Sequence, residues 1–472
     1  MYSVNIPDLL TDTEDIIRLF FKDYKRGQSL DFYIHQNITF DERQVKSVIK
    51  TNLGGESVFY DSAPFSYTKG SLEYTKYLKR FVKNALYKVL KQLTGQVLPW
   101  GSLTGVHPTK LAYELLDGGI DLNQAAALLK QNFDISDRKL KLLTQIIDAQ
   151  KGIYKKDENA VNLYINIPVC QTRCSYCSFI SSELNKCSHL LNAYSKLLSQ
   201  EIKYCLELIK KKNMNIRSVY VGGGTPTSIG TEQLELILSA APKDAAEFTV
   251  EAGRPDSITK EKLDLLKNQN VTRISINPQS FNQEVIDAIG RGHTVKDIYN
   301  AYELARKDYN FIINMDLIAG LPKDSYESFC DTIHKTLELE PENITVHTLC
   351  LKSGADLKRK PIDQFADVSQ MVDYAYDRIT QKGYTPYYVY RQKYMIGNLE
   401  NTGYCKPKTQ CVHNIDTMEE SVSVIACGAG AISKRIKGGK IKRSANVKFI
   451  EDYISRFDEM LLRHDELFFE QN

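Results

Sequence analysis

Two patterns of apolar and polar residues divide the chain near residue 155. Before that point, LDFYIHQNITF and ESVFYDSAPFSYTKG alternate apolar and polar residues, which is typical of half-buried strands. Residues 71–95, SLEYTKYLKRFVKNALYKVLKQLTG, instead repeat apolar residues at helical spacing and predict one amphipathic helix that ends near Gly95. Shorter helical patterns follow at residues 110–116, 122–129 and 136–151. We therefore expect residues 1–155 to form a separate α+β domain.

From residue 156 onward, short apolar segments alternate with helical ones. The predicted strands are VNLYINI, RSVYVGG, EFTVEAG, VTRISIN, FIINMDLIAG and ENITVHTL. Repeated strand–helix units of this kind build a parallel sheet covered by helices, and six units are fewer than the eight of a closed barrel. The pattern predicts an α/β fold, an open (β/α)6 partial barrel over residues 156–390 that binds ligands at the C-terminal ends of its strands. The alternation stops there, and we expect residues 391–472 to form a C-terminal extension that covers the substrate.

Composition narrows the class of protein only modestly. Of 472 residues, 42% are hydrophobic and 25% are charged, as in ordinary globular proteins, and a net charge of +3 gives no reason to expect a nucleic-acid partner. The apolar runs are shorter than the roughly 20 residues that span a bilayer, and the sequence MYSVNIPDLLTDTED lacks a signal pattern. We therefore expect a cytoplasmic location without membrane insertion. Ten cysteines in so large a chain do not indicate a disulfide framework.

Three of the cysteines stand together directly after the first strand of the second region. They are Cys170, Cys174 and Cys177, spaced C-x3-C-x2-C. Thiolates suit zinc or iron–sulfur clusters. Structural zinc takes four ligands, commonly from paired C-x2-C motifs. The sequence contains no second pair, although Cys187 or His189 could supply the fourth ligand of a zinc site. A [4Fe–4S] cluster normally takes four cysteines, so three leave one iron open. The spacing favours a cluster with an open iron.

Glycines and polar residues close the strands that follow. The second strand ends in GGGTPT, residues 222–227, where a ligand can approach the backbone N–H groups, although a plain strand-to-helix turn has the same pattern. Glu251, Gln279 and Asp316 end the next three strands. Each of them could cap a helix, but three in succession at one edge of a sheet favour a binding site. Arg291, twelve positions after Gln279, could pair with a carboxylate in that site.

With these motifs the chain resembles the radical SAM superfamily, in which three cysteines hold a [4Fe–4S] cluster and S-adenosylmethionine (SAM) chelates the open iron. The resemblance implies that the reduced cluster cleaves SAM to a 5′-deoxyadenosyl radical. It also implies that Cys170, Cys174 and Cys177 are the iron ligands and that GGGTPT is the SAM-binding glycine motif. The implied SAM-binding residues are Tyr164, Tyr176, Gly223, Gly224, Thr225, Glu251, Gln279, Arg291, Asp316 and Ile432.

A narrower resemblance runs from about Val161 to Lys448. RISINPQSF, GRGH and NMDLIAGLP resemble the oxygen-independent coproporphyrinogen III oxidase branch, and the flanking YRQKYMIGNLENTGY, GAGAIS, RSANVK and LTGVHPTK resemble its coproporphyrinogen dehydrogenase HemZ group. This implies oxidative decarboxylation of coproporphyrinogen III to protoporphyrinogen IX in anaerobic haem biosynthesis, by removal of a propionate β-hydrogen. The implied partners are a porphyrinogen or haem-type tetrapyrrole, one SAM or two, and an electron donor of the flavodoxin or ferredoxin type.

Two departures from the pattern of the oxidases keep other reactions open. The oxidases carry a further cysteine where this chain has Phe179, and a histidine where it has Asn166. The haem chaperones of the branch also lack a cysteine at the position of Phe179. A haem-binding chaperone and an anaerobic haem-degrading methyltransferase therefore remain alternatives. The basic residues on either side of Gly438 and Gly439, Arg443 above all, could pair with substrate propionates or form a solvated hairpin tip.

Overall fold

A computed structural model describes residues 2–21, 24, 33–41, 44–61, 66–105, 107–179, 182–350, 357, 368–392 and 395–469. Residues 30–32 and 62–65, which belong to the two predicted N-terminal strand segments, lie outside the described residues, as do positions 106, 393 and 394 of the flanking motifs. The chain divides into two units, Met1–Thr144 and Gln145–Asn472. This division falls within the last helix before the large sheet, a little ahead of the expected boundary at residue 155.

The first unit combines a small sheet with helices. Its strands are β1 (Tyr2–Val4), β2 (Ile34–Phe40), β3 (Val45–Thr51) and β4 (Gly55–Asp61), which pair in that order. Its helices are α1 (Leu10–Phe20), α2 (Leu72–Thr94), α3 (Pro108–Asp117), α4 (Leu122–Phe133) and α5 (Asp137–Gln150), the last of which continues into the second unit.

Helix α2 confirms the long amphipathic helix. Ser71 caps its start by accepting a hydrogen bond from the Tyr74 N–H at 3.1 Å, and Gly95 ends it with a φ of 67°. A left-handed residue at this position favours glycine because a side chain would be strained there. The buried face, which includes Leu86 and Leu90, packs into the apolar core of the first unit.

The second unit contains a sheet to which the described residues contribute eleven strands, in the order β13–β14–β12–β11–β10–β9–β8–β5–β15–β16–β17. These strands, together with the short pair β6 and β7, are β5 (Asp157–Ile167), β6 (Val169–Cys170), β7 (Ser182–Glu183), β8 (Asn215–Gly223), β9 (Phe248–Val250), β10 (Arg273–Ser275), β11 (Ile312–Ala319), β12 (Asn343–Thr348), β13 (Thr385–Tyr390), β14 (Asn401–Cys405), β15 (Val422–Cys427), β16 (Ile432–Lys437) and β17 (Lys440–Ala445).

The six predicted strands are confirmed as β5, β8, β9, β10, β11 and β12. They lie side by side in chain order and run parallel. Every residue of β9 and β10 is buried, as expected for strands covered on both faces. The α/β class and the partial barrel are therefore confirmed.

Helices alternate with these strands. They are α6 (Leu184–Cys187), α7 (Leu191–Lys211), α8 (Thr231–Leu238), α9 (Lys260–Asn268), α10 (Gln283–Ala288), α11 (Val295–Lys307), α12 (Tyr326–Leu339), α13 (Val368–Gln381), α14 (Val412–Glu419), α15 (Ile450–Ser455) and α16 (Phe457–Phe469). Their apolar faces share one core with the parallel strands, as Leu198 of α7 and Ile165 of β5 do. Among the described helices, none is long and apolar enough to cross a membrane.

The structure places part of the expected C-terminal extension inside the sheet. β14 inserts between β12 and β13 and runs antiparallel to both, while β15 pairs parallel with β5. Residues 391–472 therefore share a unit with residues 156–390 instead of standing apart. The end of the strand–helix alternation marked a change of local pattern, but strand pairing joins residues far apart in the chain and leaves no local signal.

Candidate active site

The C-terminal ends of the parallel strands surround a cavity of about 350 Å³. Side chains enter it from alternate positions of neighbouring strands, because successive residues of a strand point to opposite faces of the sheet. These positions are Tyr164 on β5, Tyr220 on β8, Asn314 and Asp316 on β11, Thr345 and His347 on β12, and Tyr388 and Tyr390 on β13. The polar lining is therefore built on rigid elements.

The end of β6 and the loop that follows it bring all three clustered cysteines to this cavity. Cys170, Cys174 and Cys177 are partly buried thiols that line it. The loop is anchored to other segments, since the Ser175 N–H donates to Ile289 O at 3.0 Å and Arg254 Nη1 donates to Thr172 Oγ1 at 2.8 Å. Three partly buried thiols on one anchored loop suit an iron–sulfur cluster.

The glycine turn at the end of β8 packs tightly against β5 and β6. Gly223 has a φ of 113°, and a Cβ there would lie 2.1 Å from Asn166 Oδ1. At Gly224 a Cβ would lie 2.5 Å from Val169 O, in the strand that leads to Cys170. Both positions therefore require glycine, and the absence of side chains leaves the backbone open to a ligand in the cavity.

Glu251 lies beside a stack of aromatic rings in the same cavity. The Tyr220 hydroxyl donates to Glu251 Oε1 at 2.7 Å, and the Tyr220 ring stacks on His413 at 4.5 Å between centroids. Burial raises the pKa of Glu251 to about 7; the Tyr220 hydrogen bond opposes this rise, whereas the charge of Asp316 adds to it. The charge of Glu251 is therefore poised to change near neutral pH.

Asp316 has a different environment, although it lines the same cavity. It accepts a hydrogen bond from Asn314 Nδ2 at 2.7 Å, and His347 Nε2 lies 3.7 Å from its Oδ1. Burial works to raise the pKa of Asp316, but the interactions with His347 and Asn314 outweigh it and lower the pKa overall. Two carboxyl groups of opposite pKa behaviour thus face one cavity.

Arg291 is buried at the cavity wall with donors to spare. Only 6% of the residue is exposed, and its Nη2 donates to Gly253 O at 3.0 Å. Its Nε and Nη1 have no hydrogen-bond partner among the described residues. Because a buried guanidinium without partners is costly, these donors are suited to an anionic ligand group. Together with the thiols and the glycine turn, this arrangement fits a cluster and a bound amino acid derivative.

Gln279 lies between the ends of β10 and β11. Its φ is 65°, its N–H donates to Asp316 O at 3.0 Å, and its O accepts from the Ile318 N–H at 3.1 Å. These two bonds fix a non-glycine residue in the left-handed region, a strained conformation that is common at functional sites. The side chain is part of the cavity lining.

The structure brings together all but one of the predicted site residues. The cavity is lined by Cys170, Cys174, Cys177, Tyr164, Tyr176, Gly223, Gly224, Thr225, Glu251, Gln279, Arg291 and Asp316. Ile432, at the start of β16, is 51% exposed and lies outside this lining. The predicted hairpin tip at Gly438 and Gly439 is confirmed between β16 and β17. Arg443 on that hairpin also lies outside the lining, and its Nη2 bonds to Glu420 Oε1 at 2.8 Å.

Sequence reasoning missed several side chains that line the cavity. No motif indicated a binding role for four residues of the lining, Tyr220, His347, Tyr388 and Tyr390. A usable signal was present, because polar or aromatic residues recur two positions apart at the strand ends, as in NMD, TVH and YVY. Such spacing places both residues on one face of a strand.

A parallel strand–helix sheet with a three-cysteine loop and a glycine turn at one edge defines a protein of the radical SAM class. A family model described as the radical SAM superfamily matches residues 164–336. The chain is also 40% identical over 400 residues to the oxygen-independent coproporphyrinogen-III oxidase-like protein HemZ of Bacillus subtilis (strain 168), across 81% of this chain and 79% of that protein. The chain therefore belongs to the radical SAM superfamily, in the branch of the oxygen-independent coproporphyrinogen-III oxidase-like proteins. Members of this superfamily use a [4Fe–4S] cluster and SAM.

Other relatives match a smaller part of the chain. The heme chaperone HemW of Bacillus subtilis (strain 168) is 33% identical over 195 residues, which cover 40% of this chain and 50% of that protein. The solved structure of coproporphyrinogen III oxidase (HemN) from Escherichia coli covers 70% of this chain and 74% of its own, with a TM-score of 0.51 at 21% identity. At that identity the likeness supports the fold alone.

Proposed function

We propose that this chain is a radical SAM oxidoreductase that decarboxylates the propionate side chains of coproporphyrinogen III to give protoporphyrinogen IX. The observation that carries the proposal is that the three thiols, the glycine turn and the buried charged groups line one cavity. Its volume of about 350 Å³ is at the lower end of the range for small-molecule sites, roughly 300–1,000 Å³. The choice of substrate is supported by the relative that shares 40% identity, which is an oxygen-independent coproporphyrinogen-III oxidase-like protein.

In this proposal Cys170, Cys174 and Cys177 bind three irons of the cluster, and SAM occupies the rest of the cavity. When bound, the cluster and SAM would supply one-electron radical chemistry that could remove a propionate β-hydrogen, with methionine and 5′-deoxyadenosine as co-products and with loss of CO2 and one electron to leave a vinyl group. A one-electron donor of the flavodoxin or ferredoxin type and a one-electron acceptor complete the electron balance.

The other residues of the cavity bind and orient SAM. The backbone at Gly223 and Gly224 admits the amino acid part of SAM, and Arg291 offers its spare donors to a carboxylate. Glu251 and Asp316 accept hydrogen bonds from the ammonium group or the ribose hydroxyls. The remaining proposed contacts are Tyr164, Tyr176, Thr225 and Gln279. Ile432 is not included, because it lies outside the cavity lining.

Phe179 suggests where a tetrapyrrole meets the cavity. It belongs to the cavity lining, yet 65% of it is exposed. A large exposed aromatic ring beside a polar site offers a face against which the pyrrole rings of a tetrapyrrole can pack. The same feature supports a second candidate function, stable haem binding by a chaperone, because the haem-chaperone relatives of the branch also lack a cysteine at this position.

One anaerobic experiment tests the proposed reaction. The protein is reconstituted with iron and sulfide, reduced with dithionite and incubated with SAM and coproporphyrinogen III. We expect 5′-deoxyadenosine, CO2 and protoporphyrinogen IX, measured by mass spectrometry. Cys174→Ala should lose iron and all three products, whereas Cys330→Ala, on α12 outside the cavity, should keep them.

The possible outcomes separate the candidate functions. If the intact protein forms no 5′-deoxyadenosine under conditions in which a known radical SAM enzyme does, the radical enzyme proposal is wrong. If 5′-deoxyadenosine forms without CO2 and haem binds in a stable stoichiometric complex, the chaperone candidate replaces the oxidase. Consumption of haem with methyl transfer and ring opening would point to the haem-degrading alternative.

A further inference from the structure

Outside the cavity, three donor side chains from distant parts of the chain meet in the core of the second unit. Cys205 lies on α7, Cys427 ends β15, and His464 lies on α16. One possible ligand atom from each lies within 4.8 Å of the other two. The two cysteines are 0% exposed and the histidine is 2% exposed. None of the three lines the 350 Å³ cavity or belongs to the C-x3-C-x2-C loop.

A buried carboxylate determines which histidine nitrogen faces the thiols. His464 Nε2 lies 2.9 Å from Glu201 Oε1, and Glu201 is one helical turn before Cys205 on the same face of α7. Glu201 also accepts hydrogen bonds from Asn446 Nδ2 at 2.7 Å and from the Tyr453 hydroxyl at 2.6 Å. Because a carboxylate only accepts, Nε2 carries the proton, and Nδ1 is the nitrogen left for a metal.

This arrangement matches the second shell of a metal site. A histidine that binds a metal through one ring nitrogen usually donates the other N–H to a carboxylate, which orients the ring and increases its basicity. Here the carboxylate is itself held in place, since the Gly428 N–H donates to Glu201 Oε2 at 2.6 Å. Four groups, His464, Asn446, Tyr453 and Gly428, thus hold the carboxylate that orients the His464 ring.

We propose that Cys205, Cys427 and His464 bind a thiophilic divalent cation, Zn²⁺ in the first instance, at a site separate from the iron–sulfur cluster. Two thiolates and one imidazole suit zinc, and Cys2His sets leave a fourth position for a non-protein ligand. Binding releases the two thiol protons, and the two thiolates balance the charge of the ion. The bound ion joins α7, β15 and α16, so it holds the last described helix to the sheet.

Metal analysis of the full-length protein tests the site. The protein is produced anaerobically in zinc-supplemented medium, and zinc and iron are measured together by mass spectrometry. We expect about one zinc ion per chain that survives gel filtration in the presence of a weak chelator. The double variant Cys205→Ser, Cys427→Ser should lose the zinc and keep the iron. Cys330→Ser, a cysteine on α12 away from both sites, should keep both metals.

The reverse variant separates this proposal from the proposed function. The triple variant Cys170→Ala, Cys174→Ala, Cys177→Ala should lose iron and keep zinc. Prepared from zinc-depleted medium, the same variant has an empty site and lacks the absorption of an iron–sulfur cluster, so Co²⁺ can be added to it, and we expect a thiolate-to-cobalt charge-transfer band. That measurement leaves the proposed site intact and so decides the matter even if the double variant fails to fold.

Several results would overturn the proposal. One is equal zinc content in the wild type and a folded Cys205→Ser, Cys427→Ser variant. Another is the absence of the cobalt band from the triple variant. A third is a disulfide between Cys205 and Cys427 in the anaerobically purified protein, detected as linked peptides by mass spectrometry. Loss of catalytic activity alone has no bearing on this site, because it follows equally from failure of the iron–sulfur cluster.

Discussion

The Tyr220 hydroxyl donates a hydrogen bond to Glu251, and we expect it to influence the pH dependence of SAM binding. Burial raises the pKa of Glu251 to about 7, and the Tyr220 hydrogen bond of 2.7 Å keeps it from rising further. SAM carries an ammonium and a sulfonium group, so an ionised Glu251 favours its binding. In the wild-type protein the affinity for SAM should therefore increase as the pH rises through about 7.

Tyr220→Phe removes this hydroxyl and keeps the ring that stacks on His413. A hydrogen bond to a charged group contributes roughly 1.5–3 kcal/mol, so its loss should raise the pKa of Glu251 by about one to two. With a wild-type pKa of about 7, about three-quarters of Glu251 is ionised near pH 7.5. In Tyr220→Phe this ionised fraction should fall to between about a quarter and a few per cent. We expect the affinity for SAM at that pH to fall roughly three- to twentyfive-fold.

The assay is anaerobic equilibrium dialysis of labelled SAM against the cluster-loaded protein from about pH 6 to about pH 9. Tyr388→Phe is the matched control, because Tyr388 lines the same cavity but its hydroxyl lies 3.2 Å from Thr345 Oγ1 instead of bonding to Glu251. The control should follow the wild-type curve. A wild-type affinity that does not change between about pH 6 and pH 8, or a Tyr220→Phe curve that coincides with it, would refute the reasoning.

The glycine turn should not tolerate a side chain. Gly224→Ala places a Cβ 2.5 Å from a carbonyl oxygen of β6, so we expect the variant to bind SAM at least about tenfold more weakly. Gly105→Ala, whose Cβ meets its nearest side chain at 3.6 Å, is the control, and equal losses in both variants would count against a local effect. Arg291→Met should weaken SAM or substrate binding at least about tenfold, with little change in the urea midpoint of unfolding. Unchanged binding would mean that the spare donors of Arg291 contact no ligand. Arg443→Ala should leave KM for coproporphyrinogen III unchanged, because this exposed residue lies outside the cavity lining and bonds to Glu420. A severalfold rise in KM would place the hairpin at the substrate. Between the usual pKa of 4.5 and the folded value of about 7, Glu251 holds a proton that the unfolded chain has lost, so the free energy of unfolding should fall as pH rises through this window. Glu251→Gln should flatten that slope in urea titrations, and an unchanged slope would assign the pH dependence to other groups.

Much of the candidate site could be predicted because its residues belong to short motifs at strand ends. The cysteine loop and the glycine turn each lie within a few residues, and each directly follows a strand whose apolar pattern was clear. Parallel strands in chain order then bring these ends to one edge of the sheet. The same logic correctly placed Glu251 and Asp316 in one cavity.

The residues that were missed, or that lie outside the cavity lining, depend on longer-range geometry. Ile432 follows the GAGA segment in sequence. At the start of β16, however, it is half exposed and lies outside the cavity lining. Arg443 was chosen for its charge, and only the folded hairpin shows that Glu420 accepts its hydrogen bond. His347 was counted as a strand residue, because nothing near it in the chain indicates that Asp316 is its neighbour on β11.

The amino-acid sequence by itself determined α2 to α5, the six parallel strands and the cysteine and glycine motifs. These features depend on periodicity, caps and turns, which act between residues a few positions apart. Only the tertiary structure decided that β14 inserts between β12 and β13, that β15 joins β5, and that Cys205, Cys427 and His464 meet in the core. Such contacts link segments that are far apart in the chain, and their free energy depends on the packing of the whole unit, for which no local pattern exists.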